Sequence, residues 1–192
     1  HTLDSMRDVR ARMAIEHPAM RHDFTWLRLE SLRHHARDSG YPETMAEEAF
    51  AVFYRVRNEV VLYDDARPAL ERMHGRYRLF AVSNGNADLA AIGIAGYFER
   101  ALAARDAGML KPDPRIFALL LEQAGLDAAR ALHVGDDAVA DVEGARRAEA
   151  LAEAARHDQF THAHPPRRLC LRAAWPSMTR PAIGANGKRW EA

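Results

Sequence analysis

The sequence predicts an α/β protein with a doubly wound parallel sheet and a small α-helical cap. Between about residue 60 and residue 148, short apolar segments alternate with helical patterns, which is typical of parallel strands joined by crossover helices. Residues 4–58 instead show apolar residues at three- and four-residue spacing and no convincing strand. The 192 residues, 48% of them hydrophobic, are enough to form a packed core.

Three regions differ in their sequence pattern: a helical cap at 1–62, an α/β core at 63–148 and a third region at 149–192. In the cap, turn signals at His17-Pro18 and at 39–42 separate successive helices. The third region contains several prolines and a Gly/Asn-rich stretch at 184–188, without a helical or strand period. We expect it to extend the last core helix and then to form a poorly ordered tail.

The charge balance and the single cysteine exclude several classes of protein. The 27 basic and 27 acidic residues argue against bulk electrostatic binding to nucleic acid or to a membrane surface. Cys170 alone can form neither an internal disulfide nor a multi-cysteine zinc site. No apolar run approaches the roughly 18 residues of a membrane helix, and the first ten residues lack the apolar core of a signal peptide. We therefore expect a cytoplasmic protein with neither a nucleic-acid nor a membrane partner.

Local signals predict each core element. Pro68 and Pro114 suit the first turn of a helix, where the missing N–H costs least, and Gly125 suits a helix C-cap. The predicted helices are Pro68–Met73, Asn86–Ile92, Pro114–Ala124 and Val139–Ala148. Short apolar runs predict strands at Arg78–Ser83, Ala101–Ala104 and Ala131–Val134.

Polar residues that follow these strands are the first candidates for a site, because doubly wound sheets bind ligands at the carboxyl ends of their strands. Ser83 ends the first core strand and is followed by Asn84 and Gly85. A serine hydroxyl and backbone N–H groups can donate to a phosphate oxygen, and glycine allows the ligand to approach closely. On this motif alone, an ordinary turn and helix cap is the favoured interpretation.

A lysine follows the next predicted strand in a stiff loop. Pro112 and Pro114 bracket Asp113 and restrict the backbone, so that Lys111 lies just before a helix. An ammonium group there can act as a point charge for a phosphoryl group. A solvated lysine beside an ordinary helix start explains the isolated motif at least as well.

Acidic residues follow the third predicted strand. Asp136 and Asp137 come directly after Gly135, and Asp141 follows one helical turn later. Three carboxylates that converge at one strand end repel one another unless a cation lies between them, and oxygen ligands favour Mg²⁺ over zinc. Helix capping explains Asp136 or Asp137 individually, but it does not explain Asp141. The spacing therefore predicts a magnesium site.

Together, the order and spacing of these motifs resemble the haloacid dehalogenase superfamily of phosphatases. In this resemblance Ser83 matches the family's second motif, Lys111 the third, and Asp136, Asp137 and Asp141 the fourth. The helical region before them looks like a cap inserted after the first strand of a Rossmann-like core. The runs at 83–87 and 132–137 resemble the branch that hydrolyses FMN and the phosphorylated ribitylaminouracil precursor of riboflavin.

The resemblance implies hydrolysis of a small phosphorylated metabolite. Members of the family attack the phosphate with an aspartate, form an aspartyl-phosphate and hydrolyse it with water. Lys111 would then neutralise the nucleophile and the phosphate. Ser83 and the Asn84 amide would hold phosphate oxygens, with Gly85 completing the loop.

The same resemblance implies Mg²⁺ as the cofactor. Asp136 would bind the ion directly, whereas Asp137 or Asp141 would hold its water ligands or orient Lys111. The ion would allow an anionic carboxylate to approach an anionic substrate.

The sequence departs from the family pattern at the nucleophile. No Asp-x-Asp occurs in the 192 residues, and Asp4 and Asp8 lie in a helical, Arg-rich segment with no strand before them. The chain also lacks an initiator methionine. We expect the core to be incomplete at its N-terminus, as in a truncated or frame-shifted gene product, and the chain alone to be marginally stable and inactive.

Three alternatives stay open at the level of sequence. A non-catalytic phosphate- or nucleotide-binding module would use Ser83, Lys111 and Asp136 without turnover. Dehalogenation of a carbon–halogen bond occurs within the same family, although three carboxylates favour a metal-using phosphatase. A receiver-type signalling domain carries its acidic pair before its lysine, which is the reverse of the order here.

The sequence identifies neither the phosphate ester nor the oligomeric state. Selectivity in capped members comes from cap side chains, and we name Arg28, His34, His35 and Arg55 as candidates. A solvated surface position is the favoured interpretation of each.

Overall fold

A computed structural model describes residues 3–157 and 179–180 of the chain, and its first part is helical, as predicted. The helices are α1 (Leu3–Glu16), α2 (Phe24–Asp38) and α3 (Thr44–Asn58). α2 packs against both of the others. It begins after Asp23, whose carboxylate accepts hydrogen bonds from the backbone N–H groups of Thr25 and Trp26 at 2.9 and 3.0 Å.

Short strands and helices alternate through the core up to residue 103, and helices follow. They are β1 (Val61–Leu62), α4 (Ala66–Met73), β2 (Phe80–Ser83), α5 (Leu89–Ile92), β3 (Arg100–Ala103), α6 (Ala104–Ala107), α7 (Pro114–Ala124) and α8 (Gly144–His157), with a π-helical turn at Ala138–Glu143 before α8. The bounds of α7 are those predicted. Gly125 follows it at φ 61°, the left-handed conformation that suits a glycine C-cap.

The parallel pairing of β2 with β3 confirms the α/β class. Phe80 lies opposite Arg100 and Ser83 opposite Ala103, so both strands end at the same edge of the sheet. A buried apolar cluster lies beside this pair, and Phe80 and Val82 of β2 pack against it. Its members are Leu102, Ala104, Ile116, Phe117, Leu120 and Ala148. α7 and α8 therefore pack beside the sheet. This packing holds in place the edge at which β2 and β3 both end and polar residues follow them.

The prediction of a strand at Ala131–Val134 is wrong. Ala131 is extended, yet residues 132–136 make no backbone–backbone hydrogen bond with any other described residue. Leu132 and Val134 are 63% and 51% exposed, whereas His133 between them is mostly buried. The segment thus keeps the alternation of a strand. Because no described strand pairs with it, the hydrogen-bond ladder that defines a strand does not form.

Helix boundaries differ from the predicted ones at several places, and α4 begins at Ala66 rather than at Pro68. α5 begins only after Asp88, which caps it, rather than at Asn86. The last helix continues past residue 148 to His157. The predicted tail at 158–178 and 181–192 lies outside the described residues. Residues 179–180, between those two segments, form β4 (Thr179–Arg180), which pairs antiparallel with β1.

The boundaries of the three regions stay a prediction. Within the described residues, no helix combines the length and the apolar character needed to cross a membrane.

Candidate functional site

The turn after β2 presents a hydroxyl at the carboxyl edge of the sheet. Ser83 is the last residue of β2 and is exposed. Its Oγ accepts a hydrogen bond from the N–H of Gly85 at 2.9 Å, which closes the turn. A Cβ on Gly85 would lie 3.3 Å from Ser83 Oγ and 3.7 Å from Arg57 Nη2. Glycine therefore leaves space for a ligand between the hydroxyl and the cap.

The side chain of Asn84 joins this turn to the lysine loop. Asn84 Nδ2 donates to the carbonyl oxygen of Lys111 at 2.9 Å, and the N–H of Lys111 donates to Asn84 Oδ1 at 2.7 Å. The N–H and the carbonyl group of the side-chain amide therefore both bond to the backbone of Lys111. The two bonds fix the backbone of Lys111 beside Ser83, although 28 positions separate them in sequence.

Lys111 and Asp141 form a buried ion pair. Lys111 Nζ lies 2.5 Å from Asp141 Oδ1, and the two side chains are only 11% and 5% exposed. The N–H of Asp137 donates to Asp141 Oδ2 at 3.1 Å, so both oxygens of the Asp141 carboxylate are occupied. The structure thus brings together Lys111 and Asp141, which lie in two separate predicted motifs.

His133 is a further partner of the same carboxylate. Its Nε2 lies 2.8 Å from Asp141 Oδ1, and its ring packs edge-on against Phe117 at 5.0 Å between centroids. Because an ionised carboxylate only accepts, Nε2 carries the proton of this hydrogen bond. His133 therefore stabilises the carboxylate that holds Lys111.

Burial and hydrogen bonding act in opposite directions on these groups. Burial alone would raise the pKa of Asp141, but the hydrogen bonds from Lys111, His133 and the Asp137 N–H outweigh it and hold the pKa below its ordinary value. Burial lowers the pKa of His133, and the neighbouring Lys111 charge adds to this against the opposing effect of Asp141. The cluster is therefore a lysine–aspartate ion pair with a neutral histidine.

Two glycines set the geometry around Asp141. A Cβ on Gly135 would lie 2.1 Å from Asp141 Cγ, so any side chain at residue 135 would displace the carboxylate. A Cβ on Gly144 would lie 2.9 Å from the Phe117 ring and 3.0 Å from Pro112 Cα. Gly144 therefore lets the start of α8 pack closely on α7 and on the lysine loop.

The three carboxylates of the predicted metal site do not converge. No group of three or more His, Cys, Asp or Glu side chains within residues 3–157 and 179–180 is arranged to hold a metal ion. Asp137 caps the following turn by accepting from the N–H groups of Val139 and Ala140 at 2.9 and 2.8 Å. Asp141 binds Lys111 instead. Asp136 is exposed and is the one of the three that makes no hydrogen bond to another described residue.

Sequence reasoning missed two roles in this cluster. His133 was not singled out as a partner of Asp141, although a polar residue inside an apolar run is a signal for a paired buried group. The Asn84 side chain was not expected to hold Lys111. A compositional signal was also available, because Lys111 and Lys188 are the only lysines among the 27 basic residues. Because nearly all basic residues of the chain are arginines, a lysine with its compact ammonium group stands out at position 111.

A family model and two curated proteins match much of the chain. The model, described as haloacid dehalogenase-like hydrolase, matches residues 4–149. The chain is 32% identical over 147 residues to the 5-amino-6-(5-phospho-D-ribitylamino)uracil phosphatase YigB of Escherichia coli (strain K12), which covers 72% of this chain and 60% of that protein. It is 36% identical over 115 residues to the phosphoserine phosphatase of Thermus thermophilus, which covers 57% of this chain and 46% of that protein.

A solved structure shares the fold over much of the chain. The 2-haloacid dehalogenase from Pseudomonas syringae pv. Tomato DC3000 matches with a TM-score of 0.72 and 36% identity, over 77% of this chain and 66% of that one. The chain thus spans about half to two thirds of the length of these relatives.

Proposed function

The chain belongs to the haloacid dehalogenase-like hydrolases, and from that premise we propose that it supplies the phosphate-binding part of a Mg²⁺-dependent phosphomonoesterase. Relatives named as phosphatases of small phosphorylated compounds support this substrate class. The observation that carries the proposal is the pair of hydrogen bonds between Asn84 and Lys111, which holds the backbone of Lys111 against the turn that begins at Ser83.

The phosphate would bind in the space left by Gly85. The Ser83 hydroxyl and the backbone N–H of Asn84 donate to phosphate oxygens, and the Gly85 N–H exchanges its bond with Ser83 Oγ for a phosphate oxygen. These donors are neutral, so the charge of the phosphoryl group is compensated by Lys111. Binding thus combines directional hydrogen bonds with one point charge.

Asp141 positions Lys111 for this role. An ammonium group has three donors, and Asp141 takes one of them, which leaves two for the phosphate and a nucleophile. The ion pair also compensates the charge of the Lys111 ammonium group in a buried place. Asp141 is therefore a positioning residue, which is one of the two roles that the family resemblance allows it.

Asp136 is the residue that would hold Mg²⁺. Its exposed carboxylate makes no hydrogen bond or ion pair with another described residue, and carboxylate oxygens are the ligands this ion prefers. When bound, the ion supplies positive charge between an attacking carboxylate and the phosphate. Asp137 and Asp141 are used in other contacts, so Asp136 is the single ligand that we assign.

The nucleophile is the part that this chain does not supply. The family's reaction begins at an Asp-x-Asp, and the 192 residues contain none. We propose that the chain alone binds phosphate but forms no aspartyl-phosphate. Losing a covalent nucleophile lowers turnover by several orders of magnitude.

Binding and turnover test the two parts of this proposal separately. Isothermal titration with inorganic phosphate is expected to show saturable binding that Lys111→Met weakens by about tenfold or more, because a charge-assisted hydrogen bond is lost. Arg115→Gln is the matched control, since Arg115 lies in the same segment but is exposed and pairs with Asp113. Unchanged phosphate affinity in Lys111→Met would contradict the site. Mg²⁺-dependent hydrolysis of p-nitrophenyl phosphate by the chain alone would contradict the missing nucleophile.

Dehalogenation is the second candidate, because the similar solved structure is described as a 2-haloacid dehalogenase. The two activities differ in the anion that the Ser83 turn binds. Binding of orthophosphate but not of 2-chloropropionate supports the phosphatase, and the reverse supports the dehalogenase. The compared proteins are all described as enzymes, so the comparisons give no support to a non-catalytic binding module.

A further inference from the structure

Three half-buried arginines of the helical region have no acidic partner among the described residues. Arg10 lies on α1, Arg28 on α2 and Arg57 on α3, and each is half-buried. None of the three makes a hydrogen bond or an ion pair with another residue that the structure describes. In contrast, Arg33 and Arg55 on the same helices pair with Glu47 and Glu59 at 2.6 and 2.8 Å. Partly buried guanidinium groups without an acceptor are costly unless a ligand supplies one.

Arg28, in the cluster formed by these three arginines, stacks on an aromatic ring of α3. Its guanidinium carbon lies 3.8 Å from the centroid of the Phe53 ring, which covers one face of the planar group. The N–H groups on its edge stay without an acceptor among the described residues. Burial, followed by the charges of Arg10 and Arg57, lowers the pKa of Arg28 to about 10. A bound anion would offset the like-charge repulsion and supply the missing acceptor.

Arg57 connects the cluster to the proposed phosphate site. Its Nη2 lies 3.7 Å from the Cβ position of Gly85, the residue whose N–H closes the Ser83 turn. Asn58, the next residue, is buried and accepts a hydrogen bond from the N–H of Asp88 at 2.8 Å. The end of α3 is therefore fixed against the loop that follows β2.

A second hydrogen bond fixes α2 against the same loop. Asn86 Nδ2 lies 3.2 Å from Thr25 Oγ1, in the first turn of α2. Arg28 is three residues after Thr25, so the two side chains lie on the same face of the helix. The arginine cluster thus faces the loop that carries the phosphate-binding turn.

We propose that Arg28 and Arg57, assisted by Arg10, bind a second oxyanion on the substrate. This inference rests on the proposed phosphate site, because the first anionic group of the substrate would occupy the Ser83 turn. The substrate is then a phosphate monoester whose leaving group carries a carboxylate or a further phosphate. Arginine suits this role because its planar fork binds such groups through two parallel hydrogen bonds.

Matched ligand pairs test the inference on the chain as it exists. 3-Phosphoglycerate and glycerol 3-phosphate differ only by a carboxylate in place of a hydroxymethyl group, and fructose 1,6-bisphosphate and fructose 6-phosphate differ by one phosphate. Titration calorimetry is expected to show about tenfold tighter binding of the doubly anionic member in at least one pair, the size of one charge-assisted hydrogen bond. The pair that shows the preference identifies the second group.

Substitutions of the arginines test which of them cause the tighter binding of the doubly anionic ligand. Arg28→Gln and Arg57→Gln are each expected to reduce it to about threefold or less. In Arg28→Gln, binding of the singly charged ligand should stay unchanged, which shows that this variant is folded. Arg55→Gln is the matched control, because Arg55 lies on α3 but is exposed and paired with Glu59. Arg10→Gln, on a different helix, gives an independent test with a smaller expected loss.

The outcomes separate the two proposals. Equal affinity for both members of both pairs overturns the arginine site and leaves the phosphate site standing. A preference that persists in Arg28→Gln and Arg57→Gln also overturns it. If none of the four ligands binds, the proposed phosphate site fails, and the arginine site that depends on it fails as well.

Discussion

The core and the helical region hold their buried cations in opposite ways. Lys111 in the core is paired with Asp141, which is itself bonded to His133. Arg28 in the helical region has no acidic partner among the described residues, and the charges of Arg10 and Arg57 act on it. The first arrangement is complete without a ligand and so positions its charge in advance. The second is completed only by an anion, which is why we interpret it as a recognition site.

This contrast predicts opposite consequences for stability. Removing a member of a complete buried pair leaves an uncompensated charge, which is strongly destabilising. Removing a buried cation that has no partner relieves desolvation and like-charge repulsion, so the loss should be small. The following predictions run from the largest expected effect to the smallest.

Asp141→Ala should give the largest effect. It leaves the Lys111 ammonium buried without its carboxylate, and losses of about 3–5 kcal/mol are typical for a broken buried pair. The free energy of unfolding is measured by guanidinium denaturation. In the double variant Asp141→Ala with Lys111→Met the buried charge is absent, so part of the loss should be recovered. A loss below about 1 kcal/mol in Asp141→Ala would contradict a buried pair.

Gly135→Ala should have an intermediate effect. The added Cβ occupies the place of the Asp141 carboxylate, and overpacking of this kind costs about 1–3 kcal/mol. Gly96→Ala is the control, because a Cβ there has no atom within 4 Å. We expect Gly96→Ala to change stability by less than about 0.5 kcal/mol. Equal effects of the two substitutions would show that residue 135 does not constrain Asp141.

As pH falls from 7, the free energy of unfolding should decrease first through protonation of His133 and then, at lower pH, through protonation of Asp141. The pKa of His133 is lowered in the folded state, so below its usual value of about 6.5 the unfolded chain binds more protons and stability falls with falling pH. The pKa of Asp141 is also lowered, so its contribution is present above about pH 4 and is lost as pH falls through the folded-state pKa.

His133→Gln separates these two windows. Glutamine keeps a donor toward Asp141 but does not titrate, so the decrease in stability between pH 7 and pH 5 should become smaller. It should not vanish, because burial lowers the pKa of His35 as well. Urea denaturation at several pH values measures the free energy of unfolding of the unsubstituted chain and of His133→Gln. An unchanged slope in His133→Gln would contradict the buried neutral histidine.

Arg28→Met should have the smallest effect. Methionine keeps the contact with Phe53 but removes a half-buried charge crowded by Arg10 and Arg57. We expect a change of no more than about 1 kcal/mol in either direction by guanidinium denaturation. Lys111→Met is the comparison, and its loss should exceed that of Arg28→Met because it leaves Asp141 unpaired. A larger loss of stability in Arg28→Met than in Lys111→Met would contradict the distinction between a paired cation in the core and an unpaired one in the helical region.

Elements with complete local signals could be predicted from the sequence. The bounds of α7 follow from Pro114 at its start and Gly125 at its end, both of which act within one helical turn. The segment Ala131–Val134 shows the limit of this reasoning. Its composition and alternation are those of a strand, but a strand also requires a hydrogen-bonded neighbour, and that is a property of the fold rather than of the segment.

The candidate site could be predicted only in part for a similar reason. Ser83, Lys111 and Asp141 stand out by their motif spacing, and the structure places them around one edge of the sheet. The roles of Asn84 and His133 depend on which atoms meet in space. The Asn84 side chain hydrogen-bonds to a residue 27 positions away. Whether Asp137 caps a helical turn or binds a metal ion depends on the local backbone geometry. Such contacts leave no periodic pattern in the sequence.

Lysine-selective NMR tests the central claim most directly, because the chain has only Lys111 and Lys188. With isotopically labelled lysine, the side-chain signal that disappears in Lys111→Met belongs to the site. Titration with inorganic phosphate is expected to shift that signal in a saturable way while the Lys188 signal stays in place. Equal, non-saturating shifts of both signals, or no shift of either, would contradict a phosphate site built on Lys111.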